Sequence, residues 1–342
     1  MPAAPVRLLV ALKPGPNVDE AVSRSLPGIA WAYAKSTTPV PLEGVDALLV
    51  GSVARELGPF NPISTPRLRL VQLIYTGVDG FPFERFPPPI EIAANVGAFA
   101  PFVAEHAVTL ALSAARAIVP SQVQVRNHQL RPPPAIRVLW GRTAVVLGYG
   151  EIGKAIAQRV SGLGMRVLGL NRTGRLGPGC DAMYPAGRLH EALMEGDVVF
   201  DARPLTVSTR GTIGAAEFAA MRPQAIYVNV GRAGTADEEA LYRHLVSHPE
   251  FRAAFDPWWN EDFVNGTFAT RFPLTDLPNF LGSPHDAGFG PATERYAIDH
   301  ALENLARYYR GEPPRYLVDR RDYPPASASA QIEISSRSAD PL

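Results

Sequence analysis

Three residues able to hold an anion or move a proton stand at equivalent places in the chain. Arg232 follows YVNVG, Glu261 lies five residues past Asp256 and the apolar run RAAFD, and His285 follows NFLGSP. Each comes just beyond a stretch that reads as a strand of a parallel sheet, and open α/β sheets bind ligands outside the carboxyl ends of their strands. An arginine, a carboxylate and an imidazole meeting there suit the reduction of a 2-oxo acid. Arg232 would hold the substrate carboxylate and polarise the carbonyl. His285 would give a proton to the carbonyl oxygen as a hydride reaches carbon. Glu261 would bond the far ring nitrogen, fix its tautomer and favour its charged form. In the opposite direction His285 becomes the base for alcohol oxidation. Singly, such residues on loops are usually just solvated, and it is the shared placement that joins them.

Those loops need a scaffold, which begins at AVVLGYGEIGKAIA, residues 144–157. An apolar run meets Gly148, Gly150 and Gly153 and continues into text of helical character. Glycines so spaced allow a tight turn, a close approach of backbone to pyrophosphate, and packing of the new helix on the strand. The N–H groups and dipole at the helix start then favour an anion. A turn that binds nothing has the same three letters, but here the required strand and helix flank them. In a dinucleotide fold the end of the second strand selects the cofactor: a carboxylate suits the ribose of NAD, an arginine the 2′-phosphate of NADP. MRVLGL runs into Asn171, Arg172 and Thr173 with no carboxylate. That loop favours NADP(H), with NAD(H) still possible.

Around these loops the text alternates. RLLVALK (7–13), DALLVG (46–51) and LVQLIY (70–75) are short apolar runs of the kind buried on both faces of a parallel sheet. FVAEHAVTLALSAARAI (102–118) reads as one long helix without a breaker, and the polar stretch from 122 reads as a crossing between domains. TAVVLGYG, MRVLGLN, DVVFDARP, AIYVNVGR, RAAFD and NFLGSPH follow as strands, with helical text between several of them. ATERYAIDHALENLARYYRG is an amphipathic helix with Ala297, Ala301, Leu305 and Tyr308 at helical spacing. The pattern implies an α/β protein with doubly wound sheets.

Composition agrees. At 342 residues, 46% apolar and 19% charged, the chain suggests two globular domains. Lys+Arg and Asp+Glu are 33 each, so no net field gathers nucleic acid or an anionic membrane. The one cysteine, Cys180, excludes an internal disulfide and a multi-cysteine zinc centre and fits a reducing compartment. No metal is expected. The N-terminal apolar run is too short for a signal peptide or a membrane span, which makes the cytoplasm the expected location. The 34 prolines gather in punctuating clusters, and the Ser-rich end, 323–342, reads as a flexible tail. No GxSxG elbow appears, which removes a hydrolase of that kind.

Several segments together resemble the D-isomer-specific 2-hydroxyacid dehydrogenase family, over roughly residues 45–320. They are LIYTGVDG (73–80), VAEHAVTLAL (103–112), LGYGEIG (147–153), ARPLTVSTRGTIG (202–214), YVNVGRAGTADEEAL (227–241) and DLPNFLGSPHDAG (276–288). The resemblance implies two Rossmann-like domains, the cofactor domain inserted into a flavodoxin-like substrate domain: 1–118 with 290–322 for substrate, 119–289 for cofactor. It gives Arg232, Glu261 and His285 the roles argued above. It implies that the backbone of Thr76, Gly77 and Val78 cradles the substrate carboxylate, with Gly51 and Ser52 beside it. Glu151 and Ile152 would meet the pyrophosphate, while Pro204, Thr209, Val230, Gly231 and Asp256 would line the adenosine and nicotinamide sites. A homodimer and a small 2-oxo or 2-hydroxy acid substrate are implied likewise, glyoxylate and hydroxypyruvate first.

The chain also departs from the family pattern. After Asp256 it reads PWWNEDFVNGTFATRFPL, where members have a valine and then Glu-Pro; Asp262 replaces the proline and the loop is longer. Asp286 directly follows His285 and is expected to face solvent. Relatives that oxidise formate pair the histidine with Gln, so a carboxylate at 261 favours hydroxyacid chemistry over formate or phosphite oxidation. A nucleotide-sensing, corepressor-like binding protein is the rival of another class. Trp258, Trp259, Tyr75, Phe99 and Phe289 suit either a bulky oxo acid or the core and a subunit interface.

Overall fold

The computed structural model describes residues 5–35, 42–51, 65–130, 136–290 and 292–323. The chain forms two compact units, Met1–Asn95 with Ile298–Leu342, and Val96–Ala297. The second is therefore inserted into the first in chain order.

The outer unit carries five parallel strands: β1 (Leu8–Ala11), β2 (Trp31–Tyr33), β3 (Ala47–Val50), β4 (Leu70–Leu73) and β5 (Glu91–Ala93). Their order is β2-β1-β3-β4-β5, the flavodoxin-like arrangement. The central β1, β3 and β4 are buried at every position, so β1 and β3 read as unbroken apolar runs and β4 breaks its run only at Gln72, whose Nε2 donates to the Leu73 carbonyl at 2.8 Å. Leu8, Val10, Ala47, Leu49 and Leu70 form a core with Val18, Ala21 and Val22 of α1 (Pro16–Ser25). Ile298, Ala301, Leu302 and Leu305 of α8 (Thr293–Tyr309) join the same core, as the spacing of its apolar residues predicts. Burying one such Leu or Ile stabilises by about 1.5–3 kcal/mol.

The inserted unit is a seven-stranded parallel sheet. Its strands are β6 (Thr143–Leu147), β7 (Arg166–Asn171), β8 (Ala182–Pro185), β9 (Val198–Asp201), β10 (Ile226–Asn229), β11 (Arg252–Phe255) and β14 (Phe280–Gly282). The order is β14-β11-β10-β9-β6-β7-β8, so the sheet reverses its direction of growth between β6 and β9. Ligands bind at such a reversal in open α/β sheets. One face packs Val146, Phe200 and Val228 against α2 (Ala100–Ala115) and α4 (Glu151–Gly162). The other packs Val145, Val199, Tyr227 and Phe255 against α5 (Leu189–Glu195), α6 (Ala215–Ala220) and α7 (Glu238–Ser247). A two-stranded hairpin, β12 (Asn260–Asp262) with β13 (Thr267–Ala269), stands apart.

Three expectations change. The helix expected over 102–118 stops at Ala115; Ala117 turns left-handed at φ 51°, and α3 (Ile118–Arg126) starts anew. Pro120 is the cause, because its ring would clash with the carbonyl four residues earlier in a continuous helix. The polar stretch read as a crossing accordingly opens in helix. The division falls at 95/96 and 297/298 rather than at 118/119 and 289/290. Here α2 belongs with the inserted unit, since its stripe of Ala104, Ala107, Ala111 and Ala114 shares a core with Ile156, Ala157 and Val160 of α4. Ser52 and the tail from 324 lie outside the described residues. Among those described, no single helix is long and apolar enough to cross a membrane.

Candidate active site

Because every strand of the seven-stranded sheet runs the same way, the loops after β6, β7, β9, β10, β11 and β14 share one edge. The glycines after β6 do three different jobs there. Gly148 has φ 87°, and a side chain on it would meet the backbone of Ala202 and Arg203 at 3.0–3.1 Å. Gly153 sits so close to the Gly148 carbonyl that a Cβ would overlap its oxygen and lie 3.1 Å from Val146 Cγ1. Gly150 is the opposite case, with nothing within 4 Å of where its Cβ would be. The amides of Glu151, Ile152 and Gly153 begin α4 without intrahelical acceptors, the first such bond being Lys154 N–H to Gly150 at 2.9 Å. Open space over Gly150 in front of a helix start fits a pyrophosphate. Glu151 pairs with Lys154 at 2.8 Å, which neutralises the one acidic group of that first turn.

At the end of β7, Asn171 organises its own loop. Its Oδ1 accepts from the amides of Thr173 (3.0 Å) and Gly174 (2.7 Å), and its Nδ2 donates to the Arg175 carbonyl (2.9 Å). Arg172 and Thr173 are thereby held at the exposed rim, along with a second cation, Arg175, that the motif reading had not singled out.

A buried ionic network supports the next two loops. Asp201, fully buried at the end of β9, accepts from Arg203 Nε (2.9 Å) and Nη2 (2.6 Å), Tyr227 Oη (2.9 Å) and Thr235 Oγ1 (3.0 Å). Burial alone would lower the Arg203 pKa, but Asp201 more than offsets it and holds the guanidinium above its ordinary value. The same Thr235 hydroxyl lies 2.9 Å from the Arg232 carbonyl and shares its one proton between that oxygen and Asp201, while Asn229 Oδ1 accepts the Gly231 amide at 3.1 Å. A Cβ on Gly231 would overlap the Arg203 backbone. The network thus fixes the Gly231–Arg232 corner, where Arg232 Nη1 donates to the Gly231 carbonyl at 2.8 Å. Val230, buried, donates its amide to Asp201 O at 3.0 Å. Thr209 folds its loop by donating to the Pro204 carbonyl (2.6 Å) and accepting from the Thr206 amide (2.8 Å).

His285 and Glu261 are brought together. Nδ1 of the imidazole lies 2.6 Å from Glu261 Oε1, which also accepts the Trp258 amide at 2.7 Å. Nε2 is left as the nitrogen facing away from the carboxylate. His285 has φ 55°, a left-handed conformation costing a non-glycine residue about 1–3 kcal/mol, of the kind held only where the surroundings over-determine it. Asp256 supplies much of that constraint. Its carbonyl accepts the His285 amide (3.0 Å), and its buried carboxylate accepts Ser283 Oγ (2.7 Å) and the amides of Asp286 (3.0 Å) and Ala287 (3.3 Å). His106 of α2 reaches Ser283 Oγ at 2.8 Å, and Trp258 Nε1 donates to the Ser283 carbonyl at 2.9 Å. The family pattern had pointed to Asp256 as a cofactor contact; its visible bonds hold the histidine loop. Asp286, its side chain 50% exposed, is 3.9 Å from His106. His106, Asp256 and Asp286 bring one ligand-type atom each within 4.8 Å of one another, and Asp256 Oδ1 already accepts two donors.

Two of the flagged aromatics are structural. Trp259 stacks on Phe255 and donates to Ala236, while Trp258 stacks on Phe268 at 3.9 Å. In the outer unit, Gly51 and the 76–78 segment follow the paired strands β3 and β4, at one carboxyl edge. Asn95 pins the second loop: its Nδ2 donates to the Ile74 carbonyl, its amide to that of Tyr75, and Thr76 Oγ1 donates back to Asn95 O at 3.0 Å.

A doubly wound sheet with a glycine loop at its reversal, and a histidine–glutamate pair on the same edge, define a nicotinamide-dependent dehydrogenase. The profile of the D-isomer specific 2-hydroxyacid dehydrogenase, NAD binding domain, matches residues 108–287. A glyoxylate reductase of Thermococcus gammatolerans is 31% identical over 268 residues, covering 75% of this chain and 78% of its own. A glycerate dehydrogenase of Methylorubrum extorquens is 28% identical over 283 residues, covering 80% and 85%. A D-isomer specific 2-hydroxyacid dehydrogenase from Xanthobacter autotrophicus Py2, solved with NADPH and MES, superposes with a TM-score of 0.78 at 26% identity, over 94% of this chain and 100% of that one. The chain belongs to the D-isomer specific 2-hydroxyacid dehydrogenase family. It is an NAD(P)-dependent oxidoreductase.

Proposed function

We propose that this enzyme reduces a 2-oxo acid to a D-2-hydroxy acid with NADPH in preference to NADH. The observation that carries the reading is the 2.6 Å contact of His285 Nδ1 with Glu261, which leaves Nε2 to serve the substrate. A bound dihydronicotinamide supplies the hydride to the carbonyl carbon. His285 Nε2 delivers the proton to the carbonyl oxygen, and Glu261 orients the ring through Nδ1. Arg232 holds the substrate carboxylate in a charge-assisted contact. Thr76, Gly77 and Val78 offer backbone amides to the same carboxylate, with Gly51 beside them. Gly150, Glu151, Ile152 and Gly153 hold the pyrophosphate, and Asn171, Arg172 and Thr173 the 2′-phosphate. Pro204, Thr209, Val230, Gly231 and Asp256 line the adenosine and nicotinamide sites, and Asp256 also fixes the His285 loop.

Glyoxylate and hydroxypyruvate are the first substrates to try, since relatives bear those names. The working form we propose is a cytoplasmic homodimer. Its α3 buries no residue and exposes Ile118, Val119, Val123 and Val125, the kind of apolar face a second copy covers. The test is oxidation of NADPH and of NADH, in parallel, with glyoxylate, hydroxypyruvate, pyruvate and phenylpyruvate, on wild type and on His285→Gln. We expect turnover with NADPH ahead of NADH and a loss of about 10²–10⁴-fold in the variant with cofactor binding intact. Undiminished turnover in the variant would remove His285 as the proton donor.

A further inference from the structure

The hairpin that contains Glu261 places an aromatic ring on His285. Phe263 lies edge-to-face with the His285 imidazole, ring centroids 5.4 Å apart at 60°. It is nevertheless 67% exposed, and Val264 at the tip is 82% exposed. An apolar ring in contact with the proton donor on one side and bare on the other is poised to be covered by whatever the donor serves.

The ring stands on a built support. Glu261 pairs with Phe268 across the hairpin, and Phe268 stacks on Trp258, whose amide bonds Glu261 and whose indole bonds Ser283. Asp262 closes the turn by accepting the amides of Val264 and Asn265, both at 3.0 Å, and Asn265 Nδ2 at 2.6 Å. Gly266 follows at φ 66°, as a four-residue hairpin loop allows. The hydrogen bonds from Asn265 hold the Asp262 carboxyl below its ordinary pKa, so the cap is charged at neutral pH. This explains the departure after Glu261: Asp262 begins the turn that carries Phe263.

A carbonyl oxygen accepting from Nε2 lies about 3 Å from that nitrogen. The substituent on the carbonyl carbon then extends from the same imidazole that the Phe263 ring meets edge-to-face. We propose that Phe263 forms one wall of the pocket for the substrate side chain, so that 2-oxo acids with a branched aliphatic or aryl side chain are reduced more efficiently than glyoxylate, which has none. This rests on the role given above to His285, and it names the substrate class of that same site.

The experiment compares kcat/KM for phenylpyruvate, 4-methyl-2-oxopentanoate and glyoxylate, with saturating NADPH, in wild type, Phe263→Leu and Phe263→Ala. Wild type should prefer the two bulky acids. The ratio of bulky acid to glyoxylate should fall by about tenfold in Phe263→Ala, with Phe263→Leu between, the range set by loss of apolar contact in a pocket. A ratio unchanged by either substitution, or a wild type that prefers glyoxylate, overturns the wall while leaving hydroxyacid chemistry in place. Absence of turnover with all three acids, in protein that binds NADPH, overturns the His285 reading together with it.

Discussion

Gly150 and Gly153 are three residues apart in one motif, yet their surroundings predict opposite consequences for the same added methyl group. In Gly153→Ala the methyl meets the Gly148 carbonyl, and 3.1 Å away Val146 Cγ1, so α4 must shift from β6. Gly148 cannot retreat easily, because its amide is bonded to Leu170 O at 3.0 Å. Overpacking costs about 1–3 kcal/mol, and a hard overlap with a carbonyl oxygen places this case near 3, against which alanine returns roughly 1 kcal/mol of helix propensity. A net loss of about 2 kcal/mol lowers the melting temperature by roughly 4–8 °C for a unit of this size. In Gly150→Ala the methyl enters open space. The weaker helix cap costs about 1 kcal/mol, and the stiffer unfolded chain offsets about 0.4–1 kcal/mol. Melting without cofactor should therefore stay within a few degrees of wild type. Loss of one charge-assisted bond to pyrophosphate, about 1.5–3 kcal/mol, should weaken NADPH binding roughly 10–100-fold. The assay is thermal unfolding with and without NADPH, paired with titration of cofactor fluorescence. Wild-type affinity in Gly150→Ala, or a wild-type melting point in Gly153→Ala, would refute the division of roles.

Three further outcomes are expected. Asp201→Asn leaves the Arg203 guanidinium buried without its counter-charge and should destabilise by about 3–5 kcal/mol, with part of the loss recovered in Asp201→Asn/Arg203→Leu; a melt unchanged in the single variant would mean the pair carries no such weight. Arg172→Ala should raise the Kd for NADPH far more than that for NADH, and equal losses would end the 2′-phosphate assignment. His244, stacked on Phe218 and near Phe251, has its pKa lowered from 6.5 to about 4 by burial and then by His248. Because the folded state resists protonation, stability is full above pH 6.5 and declines as pH falls toward 4. Screening of this half-buried group limits the loss to about 1 kcal/mol. His244→Phe should flatten the melting curve between pH 7 and 5 by a few degrees relative to wild type, and an identical slope would refute the cause.

Much of this was legible in the letters, for a local reason. A strand buried on both faces is a nearly continuous apolar run, so the central strands were legible; β2, β5 and β8, with half-exposed or shorter runs at or near the sheet edges, were not. Glycine spacing depends on backbone clearance within one turn, and Gly148, Gly150 and Gly153 each met the environment their positions imply. Arg232, Glu261 and His285 could be proposed as a set because parallel strands put the segments that follow them on one edge. The amphipathic helix α8 was visible in Ala297, Ala301 and Leu305, all buried.

Tertiary structure alone decided what touches what. Asp201 and Arg203 look like surface residues in DARPLT, and only burial beside Tyr227 and Thr235 makes them a support for Arg232. His106 sat unassigned within VAEHAVTLAL, because its partner Ser283 is 177 positions away. Trp258 and Phe263, on either side of β12, diverge into a buried prop and an exposed ring against His285. Composition and periodicity determine which segments form strands and helices, since those are contests among neighbours. The ranking of side chains within the site depends on desolvation and distance across the sheet, which exist only once the chain has folded.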